Sequence, residues 1–191
     1  AQGWIKAEPK LPLQAQPSPG PDLTAEQAAA VSAISSASEG FSCHLLDGVT
    51  GSGKTEIYMC LLEQVLADGG QALVLVPEIG LTPQLLRRLT QRLGLEPAVI
   101  HSGLSAGERL AAWESVRTGR APLLVGTRSA LFTPMPALAM IILDEEHDAS
   151  FKQQDGFRYS ARDVAVKRAA DLDIPVVLGS ATPSLESLNN A

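Results

Sequence analysis

Short runs of apolar residues alternate with longer amphipathic segments along most of this chain. The runs have few polar interruptions, which is typical of strands buried on both faces of a sheet. The pattern predicts six strands, at residues 44–47, 72–76, 98–101, 122–125, 140–143 and 176–178. We expect these strands to run parallel, because a helix between two strands returns the chain to the same end of the sheet.

Helices are predicted before and between these strands, at residues 24–38, 53–67, 83–93, 106–118, 161–171 and 184–189. Most of these segments begin with a capping signal, a hydroxyl side chain followed by proline or by Gln, Glu or Asp three residues later. The signals are Thr24 with Gln27, Thr82 with Pro83, Ser105 with Glu108, Ser160 with Asp163, and Thr182 with Pro183. The alternation of strand and helix predicts an α/β fold, with a mostly parallel sheet covered by helices on both faces.

The first 22 residues differ in composition from the rest of the chain. They contain Pro9, Pro12, Pro17, Pro19 and Pro21 together with Gln, Ser and Gly. Such a segment is a poor helix former and is typical of a linker. We therefore divide the chain into residues 1–22, a linker or the tail of a missing N-terminal domain, and a folded domain over residues 23–191.

The composition excludes several classes of protein. The chain is 45% hydrophobic and 19% charged, which argues against a disordered or fibrous protein. The net charge of −6 removes the argument for a globally basic nucleic-acid-binding domain, so any such contact must come from a local patch. The apolar run at 137–143 is far shorter than the roughly 20 residues of a membrane helix. No leader sequence opens the chain, and we expect Cys43 and Cys60 to be reduced in a cytoplasmic protein.

The strongest chemical signal is a match to G-x-x-x-x-G-K-[ST], the phosphate-binding loop. The matching residues are Gly48, Val49, Thr50, Gly51, Ser52, Gly53, Lys54 and Thr55. Glycines let backbone N–H groups wrap around phosphates, the lysine reaches the β and γ phosphates, and the hydroxyl that follows ligates Mg²⁺. A glycine turn that only caps a helix would not explain Lys54, because a cation is unfavourable at a helix N-terminus.

A second signal is the acidic end of the strand predicted at 140–143. Asp144, Glu145 and Glu146 follow this strand and His147 comes next. Ligands in open α/β sheets bind at the carboxyl ends of strands. Asp144 is therefore a candidate to hold Mg²⁺, and Glu145 a candidate to polarise an attacking water. A solvated acidic turn is the alternative, which the preceding phosphate loop disfavours.

Together with residues 179–182, Gly-Ser-Ala-Thr, these motifs resemble motifs I, II and III in the first motor lobe of superfamily 2 helicases. Residues 77–84, 126–132 and 144–159 are similar to the bacterial primosomal replication-restart helicases in particular. The resemblance covers the chain from about residue 23 to its end. It implies a RecA-like P-loop fold, with ATP and Mg²⁺ as cofactors. It also implies ATP-dependent 3′ to 5′ DNA unwinding at stalled replication forks.

The resemblance also implies what lies outside this chain. The family has an N-terminal DNA-binding region, a second motor lobe and a cysteine-rich zinc module, which are not found in residues 1–191. We therefore expect an excised first lobe that is not a working motor alone, with zinc only in the missing part. Implied partners are single-stranded and forked DNA, the second lobe, single-stranded DNA-binding protein and other primosome proteins, in the bacterial cytoplasm and without a membrane.

Four residues receive a nucleotide or coupling role from the resemblance. Gln27 would recognise the adenine edge, since an amide both donates and accepts hydrogen bonds, although the capping box is also a sufficient reason for it. His147, Ser180 and Thr182 would connect the γ-phosphate with the DNA-binding loops. A strand-end turn and a helix cap are the structural alternatives for these three residues.

Two loops at the carboxyl edge of the sheet are predicted to hold the DNA backbone, because helix starts with hydroxyl and amide groups bind phosphates. Their residues are Thr82, Pro83 and Gln84 in one loop and Thr127 and Arg128 in the other. Residues 81–128 contain seven arginines, three glutamates and neither lysine nor aspartate, a basic stripe within an acidic domain.

Within this stripe we expect three arginines to solvate an exposed helix face: Arg87, Arg88 and Arg92. Arg128 remains as the better candidate for a DNA contact. His101 either contacts DNA or packs at a strand end.

Aromatic and basic residues are concentrated in the segment after the acidic turn. These residues are Phe151, Lys152, Phe157, Arg158 and Tyr159. Rings that stack on bases and cations that pair with phosphates suit single-stranded DNA. The segment resembles the aromatic-rich loop that couples DNA binding to ATP hydrolysis in this family and in RecQ helicases. Hydrophobic anchoring of a long loop is the alternative.

Two other functions compete with the helicase lobe. Another P-loop ATPase, such as a double-strand DNA translocase or a small-molecule kinase, would share the phosphate loop, but a kinase usually needs a lid insertion that these short connections do not provide. A nucleotide- or DNA-binding module without turnover belongs to a different class of function. The ATPase rate with and without single-stranded DNA separates these functions.

Overall fold

The computed structural model describes residues 18–36 and 40–190 of the chain. Six parallel strands in these parts form one sheet, in the order β1-β8-β5-β2-β4-β3. They are β1 (Ser42–Asp47), β2 (Gln71–Leu75), β3 (Ala98–Ile100), β4 (Leu123–Gly126), β5 (Leu138–Asp144) and β8 (Pro175–Ser180). The short antiparallel strands β6 (Lys152–Gln153) and β7 (Tyr159–Ser160) pair separately. All six predicted strands are confirmed, with no end shifted by more than two residues.

Helices occur at each of the six predicted places. They are α1 (Ala25–Ser36), α2 (Lys54–Ala67), α3 (Pro83–Leu93), α4 (Ala106–Arg117), α5 (Ala161–Leu172) and α6 (Leu185–Asn190). The predicted end of the first helix, at residue 38, lies outside the described residues. Four predicted caps are confirmed by a hydroxyl that accepts a backbone N–H, on Thr24, Thr82, Ser105 and Ser160.

The predicted cap of the last helix is wrong. The helix begins at Leu185, and the Ser184 hydroxyl accepts the N–H of Ser187 at 3.2 Å. Thr182 and Pro183 therefore precede the helix, and Ser184 is its cap. The backbone N–H of Ser184 bonds to the buried carboxylate of Glu146 at 2.7 Å, a contact from a distant part of the chain that fixes this helix start.

Both faces of the sheet are buried, as the continuous apolar strands predict. On one face, Leu73, Leu75, Ile141 and neighbouring side chains pack in a cluster with residues of α4 and α5. On the other face, Val74, Ile142 and their neighbours pack with α1, α2 and α3. The α/β fold with helices on both faces is thus confirmed. None of the helices in the described parts of the chain is both long and apolar enough to span a membrane.

The described part of the proline-rich segment, residues 18–22, contains no helix or strand and lies against α3. The Ser18 N–H donates to the Gln91 carbonyl at 3.1 Å. Arg92 approaches the Ser18 carbonyl and pairs with Glu63 at 3.0 Å, with its side chain only 15% exposed. The expectation that Arg92 solvates an exposed face is therefore wrong, because this residue joins α3 to α2.

The strand order determines which loops meet. β8 lies between β1 and β5, and all three strands are parallel. The loops after these strands consequently project from the same edge of the sheet. They are the glycine-rich loop after β1, the acidic turn after β5 and the segment that follows β8.

Candidate nucleotide-binding site

The loop between β1 and α2 has the backbone of a phosphate-binding loop. Gly51 and Gly53 have φ values of 82° and 87°, which glycine adopts without strain. A side chain at Gly53 would also collide with the amide of Gln27. The loop begins where the Gly48 N–H donates to the Ser180 carbonyl at 3.0 Å, so its first residue is fixed to β8.

Lys54 is buried within this loop. Its Nζ donates to the Gly48 carbonyl at 2.6 Å, so the ammonium group spans the loop from the first turn of α2 to its first residue. A cation at a helix N-terminus opposes the helix dipole and is normally unfavourable there. This unfavourable position of the cation is consistent with a site that binds anionic groups, because the helix dipole and the ammonium group would both attract them.

Gln27 connects the first helix to the phosphate loop. Its Oε1 accepts the N–H of Thr24 at 2.9 Å, and its Nε2 donates to the Ser52 carbonyl at 2.9 Å. Gln27 therefore forms the predicted capping box, and its amide also lies against the phosphate loop, where a base contact is predicted. An amide has two N–H donors and two lone pairs, so a donor and an acceptor remain for a base.

The acidic turn lies close to this loop. The Tyr58 hydroxyl, on α2, donates to Asp144 Oδ1 at 2.9 Å. Burial raises the pKa of Asp144 above its ordinary value, an effect that the Tyr58 bond and the positive charge of Lys54 oppose. Burial and the charge of Asp144 raise the pKa of Tyr58, so its hydroxyl keeps its proton and serves as a donor.

Glu145 has a left-handed backbone, with φ at 51°, which is strained for a residue with a side chain. His147 Nδ1 lies 3.7 Å from Glu145 Oε2 and 2.6 Å from the Ser180 hydroxyl. The Ser180 oxygen also accepts the N–H of Thr182 at 3.1 Å. The turn after β5 is therefore bonded directly to the last residue of β8, and the strained backbone belongs to the residue predicted to act on water.

The donor set fits magnesium held together with a nucleotide. No group of three or more His, Cys, Asp or Glu in the described residues is arranged to hold a metal alone. Mg²⁺ in such sites needs only one or two protein oxygens, because phosphates and waters supply the other ligands. The Thr55 hydroxyl, in the first turn of α2, and the Asp144 carboxylate, at the end of β5, are groups of this type.

The loops predicted to hold DNA differ in exposure. Thr82, Pro83 and Gln84 are exposed at the start of α3. Thr127 is 4% exposed, so its side chain is not available for the predicted contact with the DNA backbone. The neighbouring Arg128 remains the candidate for that contact. His101 Nδ1 accepts the N–H of Gly103 at 3.1 Å, which favours a role in its own turn.

Arg128 holds the aromatic segment. Its Nη1 donates to the carbonyl groups of Ser150 and Lys152, at 3.0 and 3.1 Å. These bonds use one nitrogen of a guanidinium group that has five N–H donors, so other donors remain for a phosphate. The arginine predicted to contact DNA is therefore also the residue that fixes the loop predicted to bind bases.

The aromatic rings do not share one role. Phe151 is 2% exposed and belongs to the core, so it anchors the loop and the expectation of a base contact is wrong for this ring. Phe157 is 81% exposed. Its ring lies 6.2 Å from that of Tyr159, whose other neighbour at 5.2 Å is the exposed ring of Phe132. Lys152 and Arg158 are exposed beside them.

Sequence reasoning missed three residues near the site. Tyr58 lies in a segment whose pattern predicted only a helix. Phe132 lies in residues 126–132, which resemble the helicase family, but it received no role of its own. Glu146 was assigned to the acidic turn, although its side chain is buried and bonded to Ser184 and Ser187. A glutamate followed by helix-start serines forty residues later carries no local signal of their contact.

The fold and this loop define a nucleotide-binding domain of the P-loop class with a RecA-like sheet. Residues 24–191 match the model of the DEAD/DEAH box helicase family, and the chain belongs to that family.

Relatives with known names share long stretches of this sequence. The replication restart protein PriA of Haemophilus influenzae is 58% identical over 151 residues, which are 79% of this chain and 21% of the relative. The protein of the same name from Bacillus subtilis is 53% identical over 171 residues, 88% of this chain and 21% of the relative. The chain thus spans about a fifth of the length of these curated relatives.

Solved structures share the fold at low sequence identity. The chain aligns with RecG bound to a three-way DNA junction at a TM-score of 0.65 and 22% identity, over 90% of this chain and 22% of that one. The UvsW helicase of bacteriophage T4 gives a TM-score of 0.59 and 18% identity, over 90% of this chain and 57% of that one. At these identities the likeness concerns the fold.

Proposed function

We propose that this chain is the ATP-binding lobe of a larger DNA helicase that moves 3′ to 5′ and acts in the restart of stalled replication forks. One observation carries the proposal: the loop that encloses Lys54 lies at the same sheet edge as Asp144, the last residue of β5, and Glu145, which follows it. The helicase family supports the class of activity, and the names of the similar proteins support the cellular process.

ATP would bind with its phosphates in residues 48–55 and its base near Gln27. Thr55 and Asp144 would hold Mg²⁺, which supplies charge neutralisation at the transferring phosphoryl group. Glu145 would accept a proton from the attacking water, while Lys54 would face the β and γ phosphates. His147 would transmit changes at this site through its bond to Ser180, whose oxygen also accepts the N–H of Thr182.

Single-stranded and forked DNA would bind along the same edge of the sheet. The exposed start of α3 and Arg128 would contact the sugar-phosphate backbone, and the exposed ring of Phe157 and the half-buried ring of Tyr159 would stack on bases. Lys152 and Arg158 would pair with nearby phosphates. The proposed DNA contacts would thus lie on the segments that follow β2, β4 and the acidic turn.

The remaining partners come from resemblance to the longer relatives. A second motor lobe would close on the nucleotide, and a zinc module would lie outside residues 1–191. Single-stranded DNA-binding protein and other primosome proteins would bind the complete helicase in the bacterial cytoplasm.

ATP hydrolysis by the complete helicase tests this function. We expect single-stranded DNA to stimulate hydrolysis, and Glu145→Gln to lower the stimulated rate by about 100-fold or more while ATP still binds, because the general base is lost. Glu114→Gln, on the exposed face of α4, is the matched control. Stimulation by duplex DNA alone would indicate a double-strand translocase, and ATP binding without hydrolysis would indicate a binding module.

A further inference from the structure

Glu146 is a buried charge that the proposed chemistry does not use. Its side chain has no exposed surface, although it follows the residue expected to activate water. A buried carboxylate is unfavourable unless charged or polar partners surround it. The partners of Glu146 therefore indicate what the buried group is for.

These partners come from two helix starts. The N–H of Ser184, which precedes α6, donates to Oε1 at 2.7 Å. The hydroxyl of Ser187 donates to Oε2 at 2.9 Å, and Arg162 Nη1 lies 3.3 Å from the same oxygen. The backbone N–H of Glu146 also donates to the Gly179 carbonyl at 2.9 Å, at the end of β8.

Arg162 lies directly after the aromatic segment. That segment ends at Ser160, which caps α5, and Arg162 occupies the first turn of this helix. Its guanidinium group also bonds to Glu186 of α6 at 2.6 Å and to Asp163 at 2.9 Å. A movement of the loop that displaced the start of α5 would therefore change the environment of the Glu146 carboxylate.

We propose that Glu146 is a positioning residue that couples the aromatic loop to the turn carrying Glu145, through Arg162 and the start of α6. The proposal rests on the proposed function, because it concerns how DNA on this loop changes ATP hydrolysis. The coupling uses a buried carboxylate, one residue from the strained backbone of Glu145. This coupling uses other residues than the contact between His147 and Ser180.

Glu146→Gln tests this coupling in the complete helicase. The variant keeps size and an oxygen for the Ser184 N–H, but it places an NH₂ donor against the donors of Arg162. We expect the single-stranded-DNA-stimulated kcat to fall about tenfold, as for other residues that orient a reacting group. We expect the basal kcat, the KM for ATP and the affinity for Mg·ATP to stay within about twofold, because the phosphate loop is intact.

Ser187→Ala is the second variant, since it removes one donor from Oε2 and leaves the charge of Glu146 paired with Arg162. We expect a smaller loss of stimulation in the same direction, and a double variant with Glu146→Gln that is no worse than Glu146→Gln alone. Glu114→Gln, in an exposed pair with Arg117, is the matched control and should leave the stimulation unchanged.

A purely structural role would give a different result. If Glu146→Gln and Ser187→Ala lower the unfolding temperature but keep the wild-type ratio of stimulated to basal hydrolysis, the coupling is overturned and the carboxylate only holds α6. If wild-type hydrolysis is not stimulated by single-stranded DNA, the proposed function is overturned together with the coupling. These two failures are distinguished by the wild-type protein alone.

Discussion

Tyr58 shows how one hydroxyl can orient the acidic turn. It donates to Asp144 Oδ1 at 2.9 Å from a buried position on α2. The neighbouring residue on β8 is Gly179, and a side chain at this position would collide with the Tyr58 hydroxyl. The bond holds one oxygen of the carboxylate that we propose as a Mg²⁺ ligand, so Tyr58 orients that carboxylate.

Tyr58→Phe removes this hydroxyl and keeps the ring. Because a hydrogen bond to a charged group is lost, we expect the Mg²⁺-dependent part of ATP binding to weaken about tenfold. ATP binding measured without Mg²⁺ should be unchanged, which makes the same titration its own control. Equal weakening with and without Mg²⁺ would show that Tyr58 acts on the phosphate loop as a whole and not on Asp144.

At the scale of elements, the loop from the acidic turn to α5 has an anchored half and an exposed half. Phe151 is in the core and Arg128 holds the backbone around it, whereas Phe157 projects into solvent. The anchored half fixes the position of the loop, and the exposed half offers rings to a ligand. Two phenylalanines in one segment thus have opposite environments.

The same substitution at these two phenylalanines should have opposite effects. Phe151→Ala should lower the free energy of unfolding by about 3–5 kcal/mol, because it opens a cavity in the core. Phe157→Ala should leave stability within about 0.5 kcal/mol and weaken binding of single-stranded DNA about fivefold or more, from the loss of base stacking. Denaturant unfolding and DNA titration measure the two effects.

Leu110→Ala, at an exposed apolar position on α4, is the matched control for Phe157→Ala. Unchanged DNA binding by Phe157→Ala would show that the whole loop serves as an anchor and does not bind bases.

Elements with a local signal were predictable from the sequence. The strands followed from buried apolar runs, and Thr82 with Pro83 marked a helix start that the structure confirms. The start of α6 was not predictable, because Thr182 and Ser184 both flank Pro183 and the choice depends on the distant Glu146. The order of the strands likewise depends on packing between remote segments.

The candidate site was predictable to the same extent. Lys54, Asp144 and Glu145 lie in motifs whose spacing predicts their chemistry, and the structure brings the two motifs to the same edge of the sheet. The burial of Phe151 and the bonds of Arg128 were not predictable, because aromatic and basic residues suit either a DNA contact or an anchor. Only tertiary contacts distinguish these roles.

At the scale of the whole molecule, several arginines of the described residues already bond to other groups of this chain. Arg88 pairs with Glu56, and Arg162 with Glu146 and Glu186. Arg168 bonds to the carbonyl groups of Leu131 and Thr133. An arginine supplied opposite the phosphate loop contributes roughly 10³- to 10⁵-fold in rate to related enzymes. The second lobe is the expected source of that residue.

We therefore expect the isolated chain to hydrolyse ATP slowly at best and to unwind no DNA. Translocation needs two lobes that open and close on the nucleotide. A strand-displacement assay on a forked duplex, with the complete helicase as the positive control, measures this. ATP-dependent unwinding by the purified chain would show that a second lobe is not required.

The central claim is that residues 48–55 bind the phosphates of ATP, and an equilibrium titration of Mg·ATP and Mg·ADP against this chain tests it most directly. The account predicts saturable binding that Lys54→Ala weakens at least about tenfold, because a charged hydrogen-bond donor to the phosphates is lost. Lys167→Ala, which removes an exposed lysine of α5, should bind like wild type. Equal affinity of wild type and Lys54→Ala for both nucleotides would contradict the account.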